Sequence, residues 1–450
     1  MLFYGRLRTL VSVAELYARP AYIIPAYRDL SALWVRVRPF LDSGHCRMPT
    51  TVDHRPRLPA LTGLRFVAIL HITLFHIAGL WGGSDRYPWW VKNFLLNRSF
   101  STGMFFVLSG FLFVYIYYKN GEAAYSPFNF VKLRLSRLYP LHVLCLLWAS
   151  PFALLGGQHL SPMHFGIAFV STVFLGHAWI PWTICINQPS WTLSSLLLCY
   201  FIFLPLINRI IGPLTLKEQL LLFIPVYLIA LLPITVIAGI SQFAAVPSLK
   251  TYLDILHTNP LFSLPFFIAG CIAGKRFLDN QGGPAEKNSL KPDIVLLTCL
   301  CSLMILPGES FFEPFLRSGL LLSLQVYVIW ILAKGAGRLS RLLSTRFFIL
   351  LGNASFSMFL IQFPLYFSTV KAYRCLLALF RHGWKINMSS MAHALTDKSG
   401  GQVPAEIIVL YFFLLVTLSC IAQKHFVDKV YCFLRKKLAV SQRTCQMKPK

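Results

Sequence analysis

The spacing that most plainly suggests chemistry lies between Arg65 and His76 in the apolar run PALTGLRFVAILHITLFH, residues 59–76. On a helix these two differ by only about 20° around the axis and about 16 Å along it. One face therefore carries a guanidinium near one end and an imidazole deep in an apolar segment. Ionisable groups inside a membrane segment are costly and are functional candidates by default. An imidazole titrating near neutral pH is the usual group for taking a proton from a hydroxyl. The competing reading has Arg65 snorkelling to the interface and His76 hydrogen-bonding a neighbouring helix. His71 lies about 140° from His76 on the helical wheel, which points to packing rather than to the same role.

A second cationic pair follows in Lys132-Leu-Arg134-Leu-Ser-Arg137-Leu-Tyr-Pro140. Arg134 and Arg137, three residues apart, share one face of a helix end and can clamp phosphate; plain anchoring by positive charge is the alternative. Ser109 and Gly110, inside an apolar run, read as a place of close helix approach. Trp191 and Ser194 stand in Pro189-Ser-Trp-Thr-Leu-Ser194 at the start of another apolar run.

The elements that must position these residues are membrane helices. The 450-residue chain is 56% hydrophobic and 13% charged, about half the charged fraction of a soluble domain. Runs long enough to cross a bilayer recur at 58–80, 99–118, 138–157, 191–212, 215–240, 259–274, 292–307, 316–333, 347–370 and 404–423. Each predicts a helix, because lipid offers the backbone no hydrogen-bond partner. The expected fold class is all-α, a polytopic integral membrane protein with about ten transmembrane helices.

An eleventh stretch, 164–182, carries His164, Gly166, His177 and Pro181. If it stays out of the count, 31 of the 42 Lys+Arg fall on one side and ten on the other, with Arg65 inside a span. The positive-inside rule then predicts ten spans with both termini cytoplasmic, and a re-entrant or interfacial 164–182. The loop 371–403, with five basic residues, fits this topology least well.

Three regions follow: a basic cytoplasmic segment 1–57, a transmembrane domain 58–424 and a basic cytoplasmic tail 425–450. The first 47 residues read either as an amphipathic cytoplasmic segment or as lying upstream of a true start at Met48; they show no signal-peptide pattern. The net charge of +26 is accounted for by basic loops, and without nucleic-acid-binding motifs no nucleic-acid partner is expected. The eleven cysteines form no CxxC pair, so neither a disulfide framework nor a metal site is expected.

In order, these features resemble the acyltransferase-3 family of membrane O-acyltransferases, which modify bacterial exopolysaccharide and lipopolysaccharide. Arg65 to His76 matches its arginine–ten–histidine pattern, Phe105 to Phe111 its FFVLSGF-type helix, and Arg134 to Pro140 its R-x-x-R followed by Tyr-Pro. Trp191 to Ser194 looks like its W-[ST]-L-S element, and Asn259-Pro-Leu-Phe through Gly270–Gly274 like its later glycine-bearing helix. Leu351 to Ser357 matches its LG-x-x-S-[YF]-S segment.

The resemblance implies a bacterial inner-membrane enzyme taking acetyl from cytoplasmic acetyl-CoA, with no metal. Its partners would be acyl-CoA, membrane lipids and a lipid-linked or polymeric glycan acceptor, of the xanthan type for example. Arg134 and Arg137 would hold the donor phosphates, and Arg65 would orient the donor or steady negative charge. His76 would act as general base or carry the acyl group, and Trp191 and Ser194 would line the acceptor side. Two positions depart from the pattern: Leu196 stands where the family usually has glutamate, and Gln362 where it usually has histidine. Neither moves a proton in the same way. An inactive family member within a polysaccharide assembly is therefore one rival reading; a glycan or lipid transporter, a class that often shows internal repeats not found here, is the other.

Overall fold

A computed structural model describes residues 55–80, 85, 87–119, 121–123, 125–155, 161–243, 257–280, 291–307, 319–335, 337–382 and 403–435. The Met48 start and most of the amino-terminal and carboxy-terminal basic segments lie outside them. Among the described residues every regular element is a helix: α1 (Pro59–Leu80), α2 (Trp89–Leu96), α3 (Ser99–Tyr117), α4 (Pro127–Leu155), α5 (Pro162–Val173), α6 (Trp191–Pro205), α7 (Leu216–Phe243), α8 (Pro260–Asp279), α9 (Lys291–Ile305), α10 (Leu322–Lys334), α11 (Arg338–Leu343), α12 (Arg346–His382) and α13 (Ala405–Ile421).

Their starts are written locally. Asn259 caps α8 by accepting from the Leu261 amide, with Pro260 at the first position, where proline loses no helical hydrogen bond. Ser161 does the same for α5 ahead of Pro162. Thr215 and Glu218 form a reciprocal capping box before α7. Gly335, at φ 72°, ends α10 in the left-handed conformation. Both α6 and α13 pass into π-helical turns, Leu206–Ile211 and Ala422–Val427.

Seven helical segments among the described residues are long and apolar enough to cross a membrane. Helix α7 runs for 28 residues, whereas α9 and α10 have 15 and 13, short of a hydrocarbon core ~30 Å thick. Apolar side chains cover the outside: α7 exposes Leu220, Leu221, Ile224 and Leu228, and α13 exposes Val409, Leu410 and Phe413. Such belts are matched by lipid and not by water. The chain is an integral membrane protein. Helix α5 has only 12 residues and is followed by short 3-10 turns, so 164–182 is no spanning helix.

Hydrogen bonds between helix ends fix which ends share a side. Arg55, ahead of α1, donates to the Tyr115 carbonyl near the end of α3 at 2.6 Å, and Tyr115 donates back to the Pro56 carbonyl at 2.7 Å. Gln219 at the start of α7 donates to Asp279 at the end of α8 at 2.8 Å. Asp293 at the start of α9 accepts the Arg338 and Leu339 amides of α11 at 2.9 and 2.8 Å. Asn97, ahead of α3, reaches the Leu303 and Leu306 carbonyls at the far end of α9, both at 2.9 Å. These pairs follow the alternation that the charge distribution predicts. The side holding the start of α1 is called the basic end below.

Two close approaches set the frame. Helices α3 and α8 share the most extensive packing, along a seam where a Cβ on Gly110 would strike the Phe267 carbonyl and one on Gly270 the Val107 carbonyl. Small residues thus let two backbones meet, as membrane helices require without a hydrophobic drive between them. The close approach read from Gly110 is here. Helix α1 meets α12 in the same way, Gly352 lying against the Thr62 carbonyl. Eight cysteines from Cys145 to Cys420 are free thiols, and Cys432 is disulfide-bonded, a bond that cysteine spacing did not signal.

Candidate functional site

Three arginines converge at the basic end. Helix α4 starts at Pro127, eleven residues before the expected 138, so Arg134 and Arg137 lie on its second and third turns and not in a loop. From there Arg137 and Arg134 are the charges that act on Arg65 of α1. Among the described residues none of the three pairs with a carboxylate. Like charges brought together without counter-ions make a site for a polyanion.

The two α4 arginines differ. The Arg134 guanidinium lies among three aromatic rings, 4.1 Å from the centroid of Phe113, 4.7 Å from Tyr117 and 5.4 Å from Phe130. Its Nε and one Nη are buried without a hydrogen-bond partner. Arg137 has one ring beside it, Tyr431 at 5.9 Å, and its nitrogens are not among the sealed, partnerless atoms. Tyr125 in the loop before α4 also belongs here: burial pushes its phenol up, with Tyr117 adding to the rise and Arg435 and Arg134 opposing it.

The two histidines of α1 separate cleanly. His71 is buried, with Nε2 2.6 Å from the Phe94 carbonyl and Nδ1 2.8 Å from the Ser101 hydroxyl. A carbonyl only accepts, so Nε2 carries the proton and Nδ1 accepts from Ser101. Both nitrogens are spent, and the ring stacks on Phe94 at 4.2 Å. His76 makes no hydrogen bond to any described residue. It lies edge-on to Phe363 of α12 at 5.1 Å and to Phe75 at 5.4 Å. Arg98, just before α3, sits over the Phe75 ring at 3.5 Å and is the cation acting on His76. Sequence reasoning missed Arg98, because a lone arginine before an apolar run reads as an anchor.

Gln362 precedes Phe363 on α12 and also meets α1. Its side chain is buried, donating to the Phe359 carbonyl at 3.1 Å and accepting from Thr73 of α1 at 3.4 Å, one turn from His76. Leu196 is half-buried in the packing around α3 and α6.

Ser194 donates its hydroxyl to the Leu175 carbonyl and is buried. Leu175 sits at φ 56° in a Schellman turn, with the Gly176 amide on the Ser171 carbonyl at 2.7 Å and the Leu175 amide on that of Thr172 at 3.1 Å. Glycine usually holds that position, and a leucine there costs about 1–2 kcal/mol. Ser194 thus ties the turn that ends α5 to α6. Trp191 is half-buried, its ring 5.2 Å from His257 and 6.3 Å from Phe106. Neither residue adjoins the arginine cluster or His76 through a described contact.

A second polar cluster went unread in the sequence. His142 and His177 are buried with near-parallel rings 6.4 Å apart, and their Nε2 atoms meet the Thr172 carbonyl at 3.0 Å and the Ser190 hydroxyl at 3.1 Å. Residues from α4 and a 3-10 turn meet here, a juxtaposition that no local pattern encodes.

With these positions fixed, the relatives decide the class. Residues 58–424 match the acyltransferase-3 family, described as an acyltransferase domain. The chain belongs to the acyltransferase-3 family. The acyltransferase MdmB of Streptomyces mycarofaciens is 31% identical over 163 residues, 34% of this chain. The match spans 40% of that relative's length. No solved structure matches the chain. The acyltransferase-3 region begins just ahead of α1 and ends within the π turn of α13, so it contains both the arginine cluster and His76.

Proposed function

We propose that this membrane acyltransferase moves an acetyl group from cytoplasmic acetyl-CoA to a sugar hydroxyl of a lipid-linked or growing surface polysaccharide, of the xanthan type for example. The observation that carries this is the division of α1: a cluster of arginines without carboxylate partners at one end and, about 16 Å along the same face, an imidazole without a hydrogen bond, both among the described residues. An acyl-CoA has that division, phosphates at one end and a thioester at the end of a pantetheine arm.

Arg137 and Arg65, with Arg134 steadying the cluster, receive the phosphates through charge-assisted hydrogen bonds. His76 is the general base. Its free ring nitrogen takes the proton of the sugar hydroxyl as that oxygen attacks the thioester carbonyl. The tetrahedral intermediate collapses to the ester and expels the CoA thiolate, which takes the proton back from the imidazolium. The missing partner on His76 favours this role, since a base must have its lone pair available. An acyl-histidine intermediate is the variant route. Trp191 faces the acceptor in this scheme, and Ser194 holds the 161–190 segment that borders it. The protein lies in a bacterial inner membrane with about ten spans and both termini cytoplasmic.

The replacement of the family histidine by Gln362 favours one second reading, an inactive member within a polysaccharide assembly. Acetate transfer from labelled acetyl-CoA to a glycan acceptor by the purified protein tests both. Transfer supports the enzyme; none, with CoA still bound, supports the inactive member.

A further inference from the structure

Lys424 has no place in the reading of the sequence beyond being the last residue of the transmembrane domain. In the structure it stands on the π turn Ala422–Val427, a deformation frequent at functional sites. Its Nζ is buried and has no hydrogen-bond partner. The nearest acid along the chain, Asp428, takes the Gln423 amide at 2.9 Å. Gln423 also accepts from Ser357 of α12 at 3.0 Å, so its side chain is engaged on that side. Among the described residues no carboxylate pairs with Lys424.

The π turn packs against α4 and α12. Val427 and Phe426 join the apolar cluster of Phe66, Leu138 and Leu141, neighbours of Arg65 and Arg137 in sequence. Farther along the same helix, Tyr431 touches Arg137. A buried amine without an anion is expensive to hold in its charged form, and here its turn packs among the sequence neighbours of arginines equally short of carboxylates.

We propose that Lys424 is a fourth cation of the donor site and binds a phosphate of the acyl-CoA. This rests on the acyl-CoA reading above. A phosphate replaces the missing counter-ion of Lys424, and the π turn keeps the amine directed into the bundle and away from lipid.

The test uses the full chain in lipid nanodiscs, with KM measured for acetyl-CoA and for S-acetylpantetheine, which lacks phosphates. Lys424→Gln should raise the KM for acetyl-CoA about tenfold, the scale of one hydrogen bond to a charged group, and leave that for S-acetylpantetheine unchanged. Lys424→Arg should restore most of the difference. Equal acetyl-CoA KM values for Lys424→Gln and wild type, or parallel rises for both donors, overturn the proposal. Direct titration with CoA separates the two layers. Wild-type binding that Lys424→Gln weakens supports the lysine even if no acetyl is transferred, whereas a wild type that binds no CoA removes donor reading and lysine together. A Lys424→Gln chain too unstable to purify is replaced by Lys424→Met, whose apolar side chain suits the buried position and is held to the same KM comparison.

Discussion

The seam between α3 and α8 and the face shared by α1, α4 and the π turn of α13 are both built from apolar helices, yet they treat polarity in opposite ways. Along the seam, Gly110 and Gly270 bring carbonyls against helix backbones, Ser109 returns its hydroxyl to Phe105 at 2.7 Å, and aromatic rings fill the remainder. On the other face, among the described residues, arginines gather without carboxylates, the Lys424 Nζ lies buried without a partner and His76 makes no hydrogen bond. The first arrangement is complete as it stands. The second lacks anions and a proton donor, which the proposed acyl-CoA and sugar hydroxyl would bring. Where a membrane protein leaves charged groups unmatched inside its helices, those groups are candidates for its functional site.

The same contrast runs within α1. His71 and His76 are five residues apart; one has both nitrogens engaged and the other neither, among the described residues.

Breaking the seam should have the largest effect. Gly110→Leu would drive a side chain into the Phe267 carbonyl, and the protein should be lost from the folded fraction in fluorescence-detected size exclusion. His76→Ala should lower acyl transfer by about 10²- to 10⁴-fold, the usual contribution of a general base, at unchanged thermal stability. His71→Ala should do the reverse, costing about 1–3 kcal/mol by leaving the Phe94 carbonyl and Ser101 hydroxyl unmatched, with specific activity of the surviving protein nearly normal. Finding both variants inactive but stable would erase the distinction between the two histidines.

The two α4 arginines sharpen the contrast further. Arg137→Gln should raise the KM for acetyl-CoA about tenfold, the value of a charge-assisted bond, with little loss of stability. Arg134→Gln should act mainly on stability, since it removes a cation held by three rings, each worth about 0.5–2 kcal/mol. Identical KM effects would mean that the aromatic cage does not divide their roles. Thr73→Val should have the smallest effect, below about 1 kcal/mol in stability, because its 3.4 Å bond to Gln362 is long. A large fall in transfer would instead place Gln362 in the chemistry.

Much of this was legible along the chain. A helical wheel is enough to set Arg65 and His76 on one face, to exclude His71 from it and to mark Gly110 for close approach. Charge counting placed the helix ends that Asp293, Asn97 and Arg55 join, and it removed 164–182 from the spans. The length of α4 was misjudged because Lys132, Arg134 and Arg137 interrupt the apolar pattern, although charges at a membrane helix end do not stop the helix. The aromatic cage of Arg134, the meeting of His142 with His177, the nearness of Arg98 to His76 and the sealed amine of Lys424 each join helices distant in sequence. Periodicity constrains one helix at a time, so such meetings depend on packing. Ser194 shows the limit of motif reading: the motif marked an important serine, but its hydroxyl holds a strained turn.

The central claim is that His76 takes the proton of a sugar hydroxyl in a transfer fed by acetyl-CoA. Its most direct measurement is the rate of labelled acetyl transfer from acetyl-CoA to a polysaccharide repeat unit by purified wild-type and His76→Ala protein, each first shown to bind CoA equally. The wild type should transfer acetyl, and the variant should fall by at least about 100-fold. Equal rates in the two would contradict the claim.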